Sequence, residues 1–182
     1  MANATVAIYA SNNKGIDVTA TVNGLFADGN DDIPVNNDTF TDPDPGATKY
    51  FIVWYTSGTL NNGNPVGLGC QEGATLDVAP GTPTPGQYDT APQPGLAPSQ
   101  GTAVTVTRAV YGAANNGLDV TALCQAIVNQ AGTYAIPINN DTFGGDPEVG
   151  ATKYFAMAYT AGGSGPLFVG GQEGQTVAVQ TG

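Results

Sequence analysis

Histidine is absent from the 182 residues, and only Lys14, Lys49, Arg108 and Lys153 stand against 15 acidic side chains. Without an imidazole, the Ser-His and Cys-His nucleophile pairs lose their base, and the commonest zinc and copper ligand is missing. Cys70 and Cys124 are the only cysteines, too few for a structural zinc site. A formal net charge of −11 leaves no cationic footprint with which to neutralise phosphates or approach an anionic lipid surface. Nucleic acid is thereby excluded as a partner. No apolar run approaches the roughly 18 residues a membrane-spanning helix needs, so membrane insertion is not expected. The opening residues, Met1 to Val6, show neither the charged start nor the apolar run of a signal peptide.

Charge of either sign is scarce. Charged residues make up 10% of the chain, against about 25% in ordinary soluble domains. Asn, Thr, Gln, Ser and Gly must coat the surface instead. Such a polar, uncharged coat suits an extracellular or surface-associated protein, with neutral partners such as glycans or further protein chains.

What the chain does have is a duplication. Tyr9, Asn13, Gly15 and Asp17-Val18-Thr19 recur as Tyr111, Asn115, Gly117 and Asp119-Val120-Thr121. Ile33-Pro34-Val35-Asn36-Asn37-Asp38-Thr39-Phe40 recurs as Ile136-Pro137-Ile138-Asn139-Asn140-Asp141-Thr142-Phe143. Gly46-Ala47-Thr48-Lys49-Tyr50-Phe51 recurs as Gly150-Ala151-Thr152-Lys153-Tyr154-Phe155, and Gln71-Glu72-Gly73 as Gln172-Glu173-Gly174. Block order is preserved, which marks one folding unit written twice. The expected organisation is a first module over 1–79, a Pro/Gly-rich linker over 80–102 and a second module over 103–182. Six of the 13 prolines fall in the linker, where fixed φ and missing N–H donors oppose a sheet interior. An extended spacer follows, either a solvated tether or a strap along a neighbouring subunit.

Each copy reads as mainly β. The runs at Ala4–Tyr9 and Val104–Tyr111 are β-branched and strand-like. Val18, Val22, Leu25 and Phe26, like Val120, Leu123, Cys124, Ile127 and Val128, then switch to helical spacing, with Asp17 and Asp119 as N-cap candidates. Further strands are expected near 33–36, 48–56, 66–69 and 74–78. The expected fold is two similar small β-sandwich-like modules, each with one short helix. Tyr50, Ile52 and Trp54 alternate with Phe51, Val53 and Tyr55, so both faces of that strand are apolar and both must be covered.

The pattern Tyr111-Gly112, Asp119-Val120-Thr121, Asn139-Asn140-Asp141, Asp146-Pro147-Glu148-Val149-Gly150, Lys153, Tyr159 and Glu173-Gly174 resembles a domain of unknown function. That domain lies at the C-terminus of mitochondrial DnaJ subfamily-C-like proteins and occurs in stand-alone bacterial and fungal proteins. The first copy departs by carrying Ala10 where Gly112 stands. The resemblance covers both copies but not the linker. It implies a shared fold and no particular activity.

Six of the 15 acids fall in the repeated blocks, and four more, Asp42, Asp44, Asp146 and Glu148, lie in the loops between the second and third blocks. Asp38, Asp42 and Asp44 crowd one loop, and Asp141, Asp146 and Glu148 its counterpart. Hard oxygen ligands on a turn suit Ca2+, which takes about 6–8 of them, so these six are the candidate metal ligands and Ca2+ the candidate cofactor. The competing reading gives the same residues to Asx-turns and caps. Lys49 and Lys153 are expected to form ion pairs with Glu72 and Glu173 or with the acidic loop. A sharper alternative joins Lys49 to a carboxamide such as Asn37 in an amide crosslink. Either way no catalytic residue can be assigned. The sequence points to a non-catalytic structural or interaction protein, forming a homo-oligomer or filament. The alternatives are a Ca2+-dependent carbohydrate-binding protein and, third, a glycoside hydrolase working with carboxylates alone.

Overall fold

The computed structural model describes residues 2–58, 60–78, 104–130 and 134–181. The segment read as a linker lies outside these residues. The first module runs β1 (Ala2–Ala10), β2 (Gly15–Asp17), α1 (Thr19–Ala27), β3 (Asp32–Pro34), α2 (Asn37–Phe40), β4 (Tyr50–Ser57), β5 (Val66–Gln71) and β6 (Thr75–Asp77). The second repeats it as β7 (Val104–Gly112), β8 (Gly117–Asp119), α3 (Thr121–Val128), β9 (Ala135–Pro137), α4 (Asn140–Phe143), β10 (Tyr154–Ala161), β11 (Ser164–Gln172) and β12 (Thr176–Ala178). Each module holds an antiparallel sheet, β2-β1-β4-β5 or β8-β7-β10-β11, and a two-stranded ribbon, β3-β6 or β9-β12. The expected helices are α1 and α3. The one-turn helices α2 and α4 are additional, and their Asn-Asp-Thr-Phe sequence is too short to show a period.

Asp17 and Asp119 start the long helices from one position further out than expected. The N-cap residues are Val18 and Val120, which have no side-chain acceptor. The aspartates accept from Thr19 N at 2.8 Å and Thr121 N at 3.0 Å instead. At the far end of α1, Gly29 takes a φ of 82°, Gly29 N donates to Phe26 O, and Asn30 N donates to Leu25 O. This is a Schellman closure, which requires the left-handed conformation that glycine enters without steric cost.

The side chains of each sheet divide cleanly between two cores. Tyr9, Phe51, Val53 and Tyr55 turn toward α1 and the ribbon, where Val22, Phe26, Ile33 and Leu76 complete the module core. Ile8, Ala10, Ile52 and Trp54 turn the other way and pack with Val110, Ala156 and Ala158 of the second module. Both faces of β4 are therefore covered, one by its own module and one by the sister copy. The result is four layers: helix and ribbon, sheet, sheet, helix and ribbon.

The seam is closed by near-equivalent bonds. Gly69 N donates to Ala113 O at 2.9 Å, and Gly170 N donates to Ser11 O at 2.7 Å. Glycine is needed where backbones meet: a Cβ on Gly117 would lie 2.6 Å from Gly67 O. Tyr50 and Tyr154, from equivalent positions, stack with centroids 6.2 Å apart.

Strand β1 pairs with β2 only from Ile8 to Ala10. The rest of that edge is met by α1. Thr19 Oγ1 accepts from Ala7 N at 2.8 Å, and one helical turn later Asn23 bonds both backbone groups of Ala4. The second copy matches this with Thr121 at Ala109 N and Gln125 at Val106 N and Val104 O. Side chains at i and i+4 share one helix face, which makes the double attachment geometrically natural. An otherwise open β edge is thus covered.

Candidate functional site

The repeated polar residues converge on the two lysines. Lys49 begins the approach to β4 and is 2% exposed; Lys153 is 4% exposed. Lys49 Nζ lies 3.0 Å from Asp42 Oδ1 and 3.3 Å from Glu72 Oε1, and donates to Ala47 O at 2.9 Å. Its three N–H groups therefore have three acceptors. Lys153 Nζ sits 3.2 Å from Asp146 Oδ1 and 3.0 Å from Glu173 Oε2. Burial pulls each ammonium down, but the paired carboxylates outweigh it and hold both lysines above their ordinary 10.5. Both amines are charged at neutral pH.

A tyrosine at the head of each repeat completes the cluster. Tyr9 Oη donates to Asn37 Oδ1 at 2.9 Å, and Asn37 Nδ2 reaches Asp42 Oδ2 at 3.3 Å. Tyr111 Oη bonds Asn140 Oδ1 at 2.8 Å and Glu173 Oε1 at 3.2 Å. Burial, followed by the nearby Glu72 or Glu173 charge, pushes both phenols well above their ordinary range. Their recurrence in the first repeated block was the available signal. Nothing in the spacing revealed that they meet the acidic loop.

Local turn chemistry explains how the loop presents its acids. Asn36 and Asn139 cap α2 and α4 by accepting from Thr39 N at 2.9 Å and Thr142 N at 2.8 Å. Asp42 Oδ1 accepts from Asp44 N and Asp146 Oδ1 from Glu148 N, each at 3.0 Å, forming Asx-turns. Asp44 Oδ2 accepts from Ser11 Oγ at 2.6 Å, and Glu148 accepts from Asn115 N and Nδ2 at 2.9 and 2.8 Å. These two acids tie the loop to the β1–β2 and β7–β8 turns respectively.

Four of the six candidate metal ligands, Asp42, Asp44, Asp146 and Glu148, are thus turned onto lysine, hydroxyl or amide partners. Asp38 and Asp141 stand exposed in the first turns of α2 and α4. The ammonium sits where the loop carboxylates converge. Among the described residues, no group of three or more acidic or thiol side chains is arranged to hold a metal ion. The proposed Lys–Asn pairing is displaced in the same way, because Asp42 lies between Asn37 and Lys49.

Most of the aromatic residues are core. Tyr9, Tyr50, Phe51, Trp54, Tyr55, Phe155 and Tyr159 are buried, and the large apolar side chains exposed among the described residues are Tyr134 and Val149. Cys70 and Cys124 are free, buried thiols. Among the described residues no helix is long and apolar enough to cross a membrane.

Fold and site together define a duplicated, mainly β protein in which each copy is fastened by a Tyr-Asn-Asp-Lys-Glu cluster around a buried lysine. Comparison with protein-family models, with curated proteins and with solved structures gives no match for this chain.

Proposed function

We propose that the chain is a non-catalytic structural and interaction protein, a building block that assembles with further copies at an extracellular or otherwise exposed surface. One observation carries this reading. The recurring carboxylates, the residues best able to do chemistry, are turned inward onto lysine, hydroxyl and amide partners and hold loops to sheets. Groups that hydrolyse a glycosidic bond must instead face a substrate and retain a free proton or lone pair. The outer coat, poor in charge of both signs, suits contact with neutral surfaces and with other copies.

Multi-angle light scattering and negative-stain microscopy across a concentration series, with and without Ca2+, test the reading. Particles of higher mass that grow with concentration are expected. A chain that stays monomeric at high concentration in both conditions overturns it.

A further inference from the structure

The two sheet faces that meet at the seam are not copies of each other in shape. In the first module, the row across β1, β4 and β5 reads Val6, Trp54, Gly67. The equivalent row in the second reads Arg108, Ala158, Phe168. Large and small have changed places: the indole stands on the central strand of one sheet, the phenyl ring on the outer strand of the other. One step along, Ile8, Ile52 and Gly69 are matched by Val110, Ala156 and Gly170.

The contacts show that this exchange is compensated. A Cβ on Gly67 would lie 2.8 Å from the Trp54 ring and 3.0 Å from Val110 Cγ1 across the seam. On the opposite side, a Cβ on Gly15 would lie 2.8 Å from Phe168 Cβ. Trp54 therefore fills space that Ala156 and Ala158 leave, and Phe168 covers the small residues Ala10 and Gly15.

We infer that each module is the specific non-covalent partner of the other, so that a first module accepts a second module in trans and rejects a copy of itself. In a first–first pair, two rows of Ile52 and Trp54 would confront each other where alanines now stand, and no phenyl ring would cover Ala10. Overpacking and voids arise in the same interface. In a second–second pair, the alanine rows would face each other across a gap. Only the mixed pair fills the seam at interior density. This is steric specificity built from both a good fit and two bad ones. It concerns pairing of halves, and holds whether or not whole chains assemble.

The test cuts the full chain. A protease site placed within residues 79–103 is cleaved after folding, and the product is followed by size exclusion and native mass spectrometry. The halves are expected to stay together as a 1:1 pair at the mass of the intact chain. After separation in denaturant, the mixed halves should regain that pair, while neither half alone forms a homodimer. Halves that part on cleavage, or homodimers that form as readily as the mixed pair, overturn the inference. A second variant guards against a folding defect. Ala158→Trp should weaken the cleaved pair roughly tenfold or more with the far-ultraviolet spectrum kept, whereas exposed Ala135→Trp should not. Equal affinity in both variants also overturns it. Light scattering of the uncut chain reads the assembly proposal separately.

Discussion

The side-chain amide of Asn23 bonds both backbone groups of Ala4, accepting from its N–H at 2.8 Å and donating to its carbonyl at 2.9 Å. Ala4 stands beside a β-bulge, the ladder between β1 and β4 slipping between Ala4 and Val6. Asn23 thus supplies the peptide partner that a neighbouring strand would give. Thr5 and its equivalent Thr107 donate to Trp54 O and Ala158 O, so the bulge is held from both sides in both copies.

Asn23→Leu should therefore destabilise the protein by about 2–3 kcal/mol, since it orphans two main-chain groups while leaving apolar bulk. Gln125→Leu should act similarly on the second copy, where Gln125 is 2% exposed. Urea unfolding measures both. A loss below about 0.5 kcal/mol would show that water replaces the amide freely.

The lysine clusters set the alkaline limit of stability. Lys49 and Lys153 are raised above 10.5 in the fold, so their contribution is complete below that pH and is lost as pH climbs through the folded values. Tyr9 and Tyr111, raised above 10.0, act in the same direction. Melting temperature should fall from about pH 10 upward, and less steeply in Lys49→Met. Removing the Lys49 charge should itself cost about 2–3 kcal/mol at pH 7. This lies below the cost of a fully buried pair because the Asp42 and Glu72 side chains keep 29% and 23% exposure. An unchanged alkaline slope in the variant would remove Lys49 from this role.

Thr41 marks the one point where the two acidic loops differ in backbone strain. It follows α2 with φ 67° and ψ 148°, whereas its equivalent Gly144 holds φ 77° and ψ 14°. A β-branched residue in that region costs about 1–3 kcal/mol. Thr41→Gly should stabilise the first module by about 1 kcal/mol, and Gly144→Thr should destabilise the second by a similar amount. Denaturant midpoints decide it; a destabilising Thr41→Gly would show that the threonine side chain offsets its own strain.

How much could be seen in the sequence follows from the range of each signal. The duplication gave the two modules, and helical spacing at Val18, Val22, Leu25 and Phe26 gave α1. The doubly apolar strand at Tyr50–Tyr55 correctly demanded cover on both faces. What covers the second face was not legible, because the Trp54–Ala158 and Gly67–Phe168 exchange makes sense only when the sheets are opposed. The same holds at the site. The pairing of Lys49 with Glu72 was anticipated from repetition alone. The reach of Tyr9 to Asn37, and of Asn115 to Glu148, depends on how segments 28 and 33 residues apart fold onto each other.

The thiols and amines should prove chemically silent. Burial pushes the Cys70 thiol up to about 12, and burial with the Asp119 charge raises Cys124 further. Neither should react with a thiol reagent in the native protein, and both should react in guanidinium. Intact mass should equal that of the sequence, because a charged Lys49 or Lys153 is no nucleophile toward an amide. Loss of one ammonia per copy would instead reveal a Lys–Asn crosslink, and of one water a Lys–Asp or Lys–Glu bond.

Calcium tests the same arrangement from the other side. A divalent ion in the acidic loop would have to share Asp42 or Asp146 with an ammonium already 3.0 or 3.2 Å away. Two cations sharing one carboxylate repel, so ion entry requires the lysine to withdraw or the Asx-turn to open. Millimolar Ca2+ should therefore leave the melting temperature of the wild-type protein nearly unchanged. In Lys49→Met, with Asp42 and Glu72 left without the ammonium between them, the same ion should recover part of the lost stability. A rise of several degrees in the wild-type protein, abolished by chelator, would place calcium in the loop beside the lysine and return Asp42, Asp44, Asp146 and Glu148 to the role of ligands.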